Sequence, residues 1–153
     1  EEVLSYSPDG IMLSNGPGDP AENTQIIHDI GKLYQSGVPI FGICLGLQLL
    51  ALSQGGKTVK LKYGHRGANQ PVRDISTGRV YITSQNHGYA VDSDALPSHA
   101  QVSMVNANDG TCEGIVYENA PVFTVQFHPE ACGGPLDTQF LFDQFIKRME
   151  EMR

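Results

Sequence analysis

The sequence predicts an α/β fold: a mostly parallel sheet flanked by helices, with an antiparallel β insertion. Three observations predict it. The first third alternates short apolar runs with helical patterns, strand, helix, strand, helix, and short connections of that kind demand parallel strands. The middle changes to short β-branched runs separated by turns, which suit antiparallel pairing. The end, "DTQFLFDQFIKRMEEMR", has the apolar spacing of an amphipathic helix. The 153 residues are one domain's worth of chain, and a hydrophobic content of 40% is enough for an ordinary core.

In chain order, "DGIMLSN" predicts a short buried strand over Gly10 to Ser14, followed by the loop "NGPGDPAEN". Asn23 or Thr24 can cap the next helix, in which Ile26, Ile27, Ile30, Leu33 and Tyr34 recur at helical spacing. Gly37 and Pro39 end it. "PIFGI" is the next strand, and "LGLQLLALSQ" a helix closed by Gly55 and Gly56. "KTVKLKYG", "RVYITSQ", "AQVSMVNA", "EGIVYEN" and "VFTVQF" are the β-branched strands. The closing helix has Phe140, Leu141, Phe142, Phe145, Ile146 and Met149 as its apolar positions. The first strand follows only "EEVLSYSP", where a domain of this type has further strands. The expectation is therefore one domain over 1–153, truncated at its N-terminal side.

A net charge of -7 argues against nucleic acid or an anionic membrane as partner. No apolar run approaches the ~20 residues of a membrane span. Three cysteines without paired spacing are no disulfide framework and fit a reducing, cytoplasmic setting.

The chemistry centres on "PIFGICLGLQLLAL". Gly42, Cys44 and Gly46 take the spacing of a nucleophile elbow between a strand and a helix. The helix N-terminus favours a thiolate and offers N–H groups to an oxyanion. A buried, inert cysteine is the competing reading. A thiolate needs a proton carrier, and "VQFHPE" places His128 at a strand end with Glu130 two residues on, hence on the same face. Glu130 can orient the imidazole as the third member of a Cys44–His128–Glu130 triad.

"GICLGLQLL" and "FHPE" resemble the nucleophile and His–Glu motifs of the class I glutamine amidotransferases, and the resemblance runs over almost the whole chain. "LSNGPGDP", "KYGHRGANQPV" and "TSQNHGYAVD" are similar to the branch that forms the small, glutaminase subunit of carbamoyl-phosphate synthetases. The resemblance implies a flavodoxin-like sheet. It implies hydrolysis of L-glutamine to glutamate and ammonia through a Cys44 thioester. His128 would move the protons, and the N–H groups of Gly16 and Leu45 would form the oxyanion hole. Gln48, one helical turn after Cys44, would hold substrate together with Asn86, Gly88 and Tyr89, and Gly18 would shape the pocket. The implied partner is a carbamoyl-phosphate synthetase large subunit or fused synthetase domain. ATP and Mg would be used there, with no cofactor in this chain. Leu47 stands where the family most often has His. An amidotransferase serving another synthase, or a non-catalytic interaction module, are the alternatives.

The remaining features read blandly. "NGPGDP" lacks the Lys-Ser/Thr of a phosphate loop. Cys112 and Cys132 have no metal-ligand spacing, and no metal is expected. His28 on a helix, His65 in a loop and His99 near a turn read as surface or structural residues. His87 shapes the turn that presents Asn86 and Gly88.

Overall fold

The structure is a computed structural model that describes residues 2–14, 16, 19–129 and 140–152. A short helix, α1 (Glu2–Ser5), precedes β1 (Ile11–Leu13). A 3₁₀ turn at Pro20–Glu22, capped by Asp19, leads into α2 (Thr24–Gln35). Then come β2 (Ile40–Ile43), α3 (Leu45–Ser53), β3 (Thr58–Asp74), β4 (Val80–Val91), β5 (Ala100–Asn106), β6 (Cys112–Tyr117), β7 (Val122–Val125) and α4 (Phe140–Glu151).

Seven strands form one sheet in the order β1-β2-β7-β6-β5-β3-β4. β1, β2 and β7 are parallel; the other pairings are antiparallel. The expected antiparallel portion therefore continues the same sheet from β7 outward. Side chains alternate across it as the period of two requires. Ile40 and Val122 join Leu47, Leu50 and Ile30 beneath α2 and α3. Phe41, Phe123 and Val125 join Leu141 and Phe145 on the other face, beneath α4. Phe41 and Phe123, one register pair, stack at 4.6 Å between ring centroids. Helices thus cover both faces, which explains why β2 is buried along its whole length. α3 is apolar on nearly every side, with Gly46 to Ala51 all buried, as befits a helix pressed between the sheet and α2.

One element departs from the sequence reading. β3 runs on past Gly64 through "HRGANQPV" to Asp74. Its pairing with β4 carries it through that Gly- and Pro-containing stretch, with register shifts at Lys60/His65 and Gly67/Gln70. His65 is therefore not in a loop. It sits on a strand directly opposite His87, and both are buried.

Candidate active site

β2 ends at Ile43 and α3 begins at Leu45, so Cys44 makes the turn alone. It does so at φ 55° and ψ -107°, a conformation that costs a residue with a Cβ about 1–3 kcal/mol. The flanking glycines are needed for close approach. A Cβ on Gly46 would lie 2.4 Å from the carbonyl oxygen of Leu13, and one on Gly42 would lie 2.8 Å from Thr124 Cγ2. The strand ends of β1 and β7 therefore press against the turn itself.

Cys44 is buried and forms the N-cap of α3 without a side-chain capping bond. The first N–H groups of α3 have no intrahelical acceptor and face outward from this turn. Gly16, which follows β1, lies so close that a Cβ on it would be 3.0 Å from Leu45 Cδ2. A cleft of about 420 Å³ opens here. Of the expected set, Gly16, Cys44, Leu45, Gln48, Asn86, Gly88 and Tyr89 line it, and His128, though described, is not among the lining residues. Gly18 and Glu130, like Cys132, lie outside the described residues.

His128 is brought to the same end of the sheet by parallel pairing. Ile43 is in register with Val125, so Cys44 follows one strand and His128 follows its neighbour three residues on. The Cys44 N–H donates to Val125 O at 2.9 Å, and the His128 N–H donates to Ser84 O of β4 at 2.9 Å. Active sites of open α/β sheets collect at such carboxyl ends.

Behind the cleft lies a buried polar network. Gln126 Nε2 donates to Cys44 Sγ at 3.5 Å and Gln126 Oε1 accepts from Gln48 Nε2 at 2.9 Å. Gln48 Nε2 also donates to Tyr89 O at 2.8 Å. Both N–H groups of Gln48 are thus engaged, which leaves its amide oxygen as the group that can accept from a ligand. Tyr89 O takes a second hydrogen bond from His87 Nδ1 at 2.7 Å. His87 Nε2 stands 2.7 Å from Gln85 Oε1 and 3.2 Å from His65 Nδ1. His65 Nε2 meets Asp109 Oδ2 at 2.7 Å, and Gln85 Nε2 donates to Glu113 Oε2 at 2.7 Å.

Electrostatics follow from this packing. Burial holds His87 down to about 4, so it is a neutral ring that orients Tyr89. The turn expected at Asn86 and Gly88 is not formed, because pairing with β3 carries β4 through both residues; His87 instead holds the Tyr89 carbonyl from within the strand. The Glu113 side chain, against the opposing effect of burial and with help from Asp109, raises His65 to about 9. Burial raises the carboxyl of Glu113. Burial works against Asp109 too, but the Thr111 N–H and His65 outweigh it and hold its carboxyl low.

Several participants were not foreseen. Gln126 stands two residues before His128 and shares its face of the chain, a signal present in "VQFH". Asp19, Lys60 and Arg66 also line the cleft and place charge of both signs there. Glu113 is wholly buried in a strand that reads only as β-branched and apolar.

Residues 1–148 match the sequence profile of the family "glutamine amidotransferase class-I". The chain belongs to this family. Among curated relatives, the carbamoyl phosphate synthase small chain of Methanocaldococcus jannaschii is 57% identical over 147 residues, covering 96% of this chain and 41% of that protein. The protein of the same name from Akkermansia muciniphila is 55% identical, covering 96% and 39%. This class I amidotransferase chain thus spans about two fifths of the length of the curated relatives it matches. Among solved structures, a GMP synthase subunit from Thermoplasma acidophilum superposes with a TM-score of 0.85 at 25% identity, covering 99% of this chain and 77% of that one. A glutamine amidotransferase from Thermotoga maritima, 20% identical with a TM-score of 0.66, covers 92% and 64% and shares the fold.

Proposed function

We propose that this chain hydrolyses L-glutamine to glutamate and ammonia, and that the ammonia supplies carbamoyl phosphate synthesis by a partner synthetase. The observation that carries the reading is Cys44, held at positive φ at the start of α3 and opening on a cleft with Gly16, Leu45, Gln48 and Asn86. The cleft has the size of an amino-acid site. Asp19, Lys60 and Arg66 line it with charges of both signs, which suits a zwitterion. The relatives' name, carbamoyl phosphate synthase small chain, supports the destination of the ammonia.

In this reading the Cys44 sulfur attacks the side-chain amide carbon, and the oxygen gains the charge. The N–H groups of Leu45 and Gly16 stabilise that oxyanion. His128 takes the thiol proton and returns it to the leaving nitrogen. Ammonia departs and a γ-glutamyl thioester remains. Water, deprotonated by His128, adds to the thioester, and glutamate leaves as the thiol re-forms. Glu130 orients His128.

Glutamate release by the full-length protein tests the proposal. Cys44→Ser and His128→Asn lower kcat/KM by at least ~10³-fold, and Glu130→Gln by less, because Glu130 moves no essential proton. Wild-type turnover in Cys44→Ser overturns the mechanism. Glutamate release that never supports carbamoyl phosphate formation by an added synthetase overturns the assignment of the acceptor.

A further inference from the structure

We propose that His65, His87 and Glu113 form a binding site for a single divalent transition-metal ion of the zinc class, set directly behind the glutamine-sized cleft. The sequence reading expects no metal in this chain, and His65, His87 and Glu113 stand far apart in the sequence, on β3, β4 and β6. The fold brings them together. Their donor atoms all lie within 4.8 Å of one another, and all three residues are buried. His65 Nδ1 is 3.2 Å from His87 Nε2 and 3.4 Å from Glu113 Oε1. Ligand bonds of 2.0–2.1 Å in a tetrahedron place neighbouring donors about 3.3 Å apart.

Proton accounting supports the same centre. His87 Nδ1 faces a backbone carbonyl, Tyr89 O, which can only accept, so Nδ1 carries the hydrogen and Nε2 presents a lone pair. His65 Nε2 faces the Asp109 carboxylate, so its hydrogen belongs there, and Nδ1 points inward. Glu113 Oε2 accepts from Gln85, while Oε1, in a side chain 0% exposed, has no hydrogen-bond partner. Gln85 adds a conflict. Its Nε2 is committed to Glu113 and Thr83, so its oxygen is turned to His87 Nε2, acceptor to acceptor. Flipping the amide turns its oxygen to Glu113 Oε2, which relieves the conflict only if Glu113 carries a proton.

A single cation at the centre of the cluster resolves these conflicts together. One proton on His65 Nδ1 supplies a single donor, which cannot serve His87 Nε2 and Glu113 Oε1 together. A metal ion accepts both, together with His65 Nδ1, and Gln85 Oε1 is the nearest further oxygen. Both histidines already have the outer partners that metal-ligating imidazoles need, Asp109 for one and a backbone carbonyl for the other. The competing resolution is protons alone, aided by a small rotation of Asn106, whose buried Nδ2 also lacks a partner.

The test uses full-length protein carrying Cys44→Ser, which removes the cleft thiol as a ligand, so the result is independent of glutaminase activity. The protein is stripped with chelator, titrated with ZnCl₂ or CoCl₂ alone, and desalted. The expected result is one equivalent of zinc per chain and a visible Co(II) ligand-field band. Both are lost in His65→Asn and Glu113→Gln. Asp109 is half-exposed, so Asp109→Asn keeps the fold and weakens binding about 10–100-fold. Circular dichroism checks that each variant is folded. Sub-stoichiometric metal in the parent, or equal metal in the parent and in folded His65→Asn and Asp109→Asn proteins, overturns the site.

Discussion

Cys44 and Cys112 are the same side chain in two settings, and the settings decide what each does. Cys44 opens on the cleft beside the unbonded N–H groups of α3, whereas Cys112 is 0% exposed in β6, where burial pushes its thiol up to about 12. A glutamine-like diazo-ketone is therefore expected to label Cys44 and spare Cys112, as read by peptide mass spectrometry; labelling of Cys112 first would remove Cys44 from the mechanism. Cys112 also has a cost at alkaline pH. In the unfolded chain its thiol ionises near 9, while in the folded chain it keeps its proton to about 12. The folded state then holds more protons over that interval, so stability is intact below pH 9 and falls as pH rises. By pH 10.5 the loss from this group is about 2 kcal/mol. Tyr34 and Tyr117, also raised by burial, act in the same direction. Denaturant midpoints at pH 7.5 and 10.5 measure the loss, and Cys112→Val is expected to reduce it; an unchanged loss in the variant would mean other groups carry it.

At the scale of elements, the turn between β2 and α3 is a packing problem before it is a chemical one. A methyl group on Gly46 would meet the Leu13 carbonyl at 2.4 Å, and backbone rather than a flexible side chain would have to move. Gly46→Ala is expected to cost about 1–3 kcal/mol of stability. Because Leu13 ends β1 just before Gly16, the same displacement moves Gly16 away from Leu45, and turnover falls by about 10²-fold even where the protein remains folded. A Gly46→Ala protein with normal thermal stability and turnover would refute the close contact. This turn was legible in the sequence because its parts are local: a run of apolar residues, two glycines at fixed spacing and a capped helix. The hairpin of β3 and β4 was not. Gly64, Gly67, Asn69 and Pro71 carry turn signals, and only pairing with a distant strand overrides them. With that hairpin misread, His65 could not be placed opposite His87, nor either beside Glu113. The residues around Cys44, and Gln126 beside His128, were recoverable from motifs, whereas Arg66 and Glu113 are placed there by contacts between segments far apart in the chain.

At the scale of the molecule, the cleft lies at one end of the sheet and draws on both its parallel and its antiparallel parts. Cys44 and Gly16 come from the β1–β2 side, and Asn86, Gly88 and Tyr89 from β4 at the far edge. Its geometry therefore depends on how the sheet as a whole is held. β1 is the outermost described strand on its side. It has only three residues, and Met12 at its centre is 47% exposed. An exposed sheet edge is a natural place for further chain or a partner to pair. The curated relatives are long enough to supply such chain, since this one spans 41% of the first of them. Glutaminase turnover is accordingly expected to rise in steps. It should be low for residues 1–153 alone, higher when the sequence is extended to the relatives' length, and higher again with a synthetase added. The same steps should appear in thermal stability at the first extension, because covering β1 fixes the position of Gly16, and in kcat at the second. Full turnover by residues 1–153 without either addition would show that the cleft is already set by the sheet described here, and would overturn the coupling.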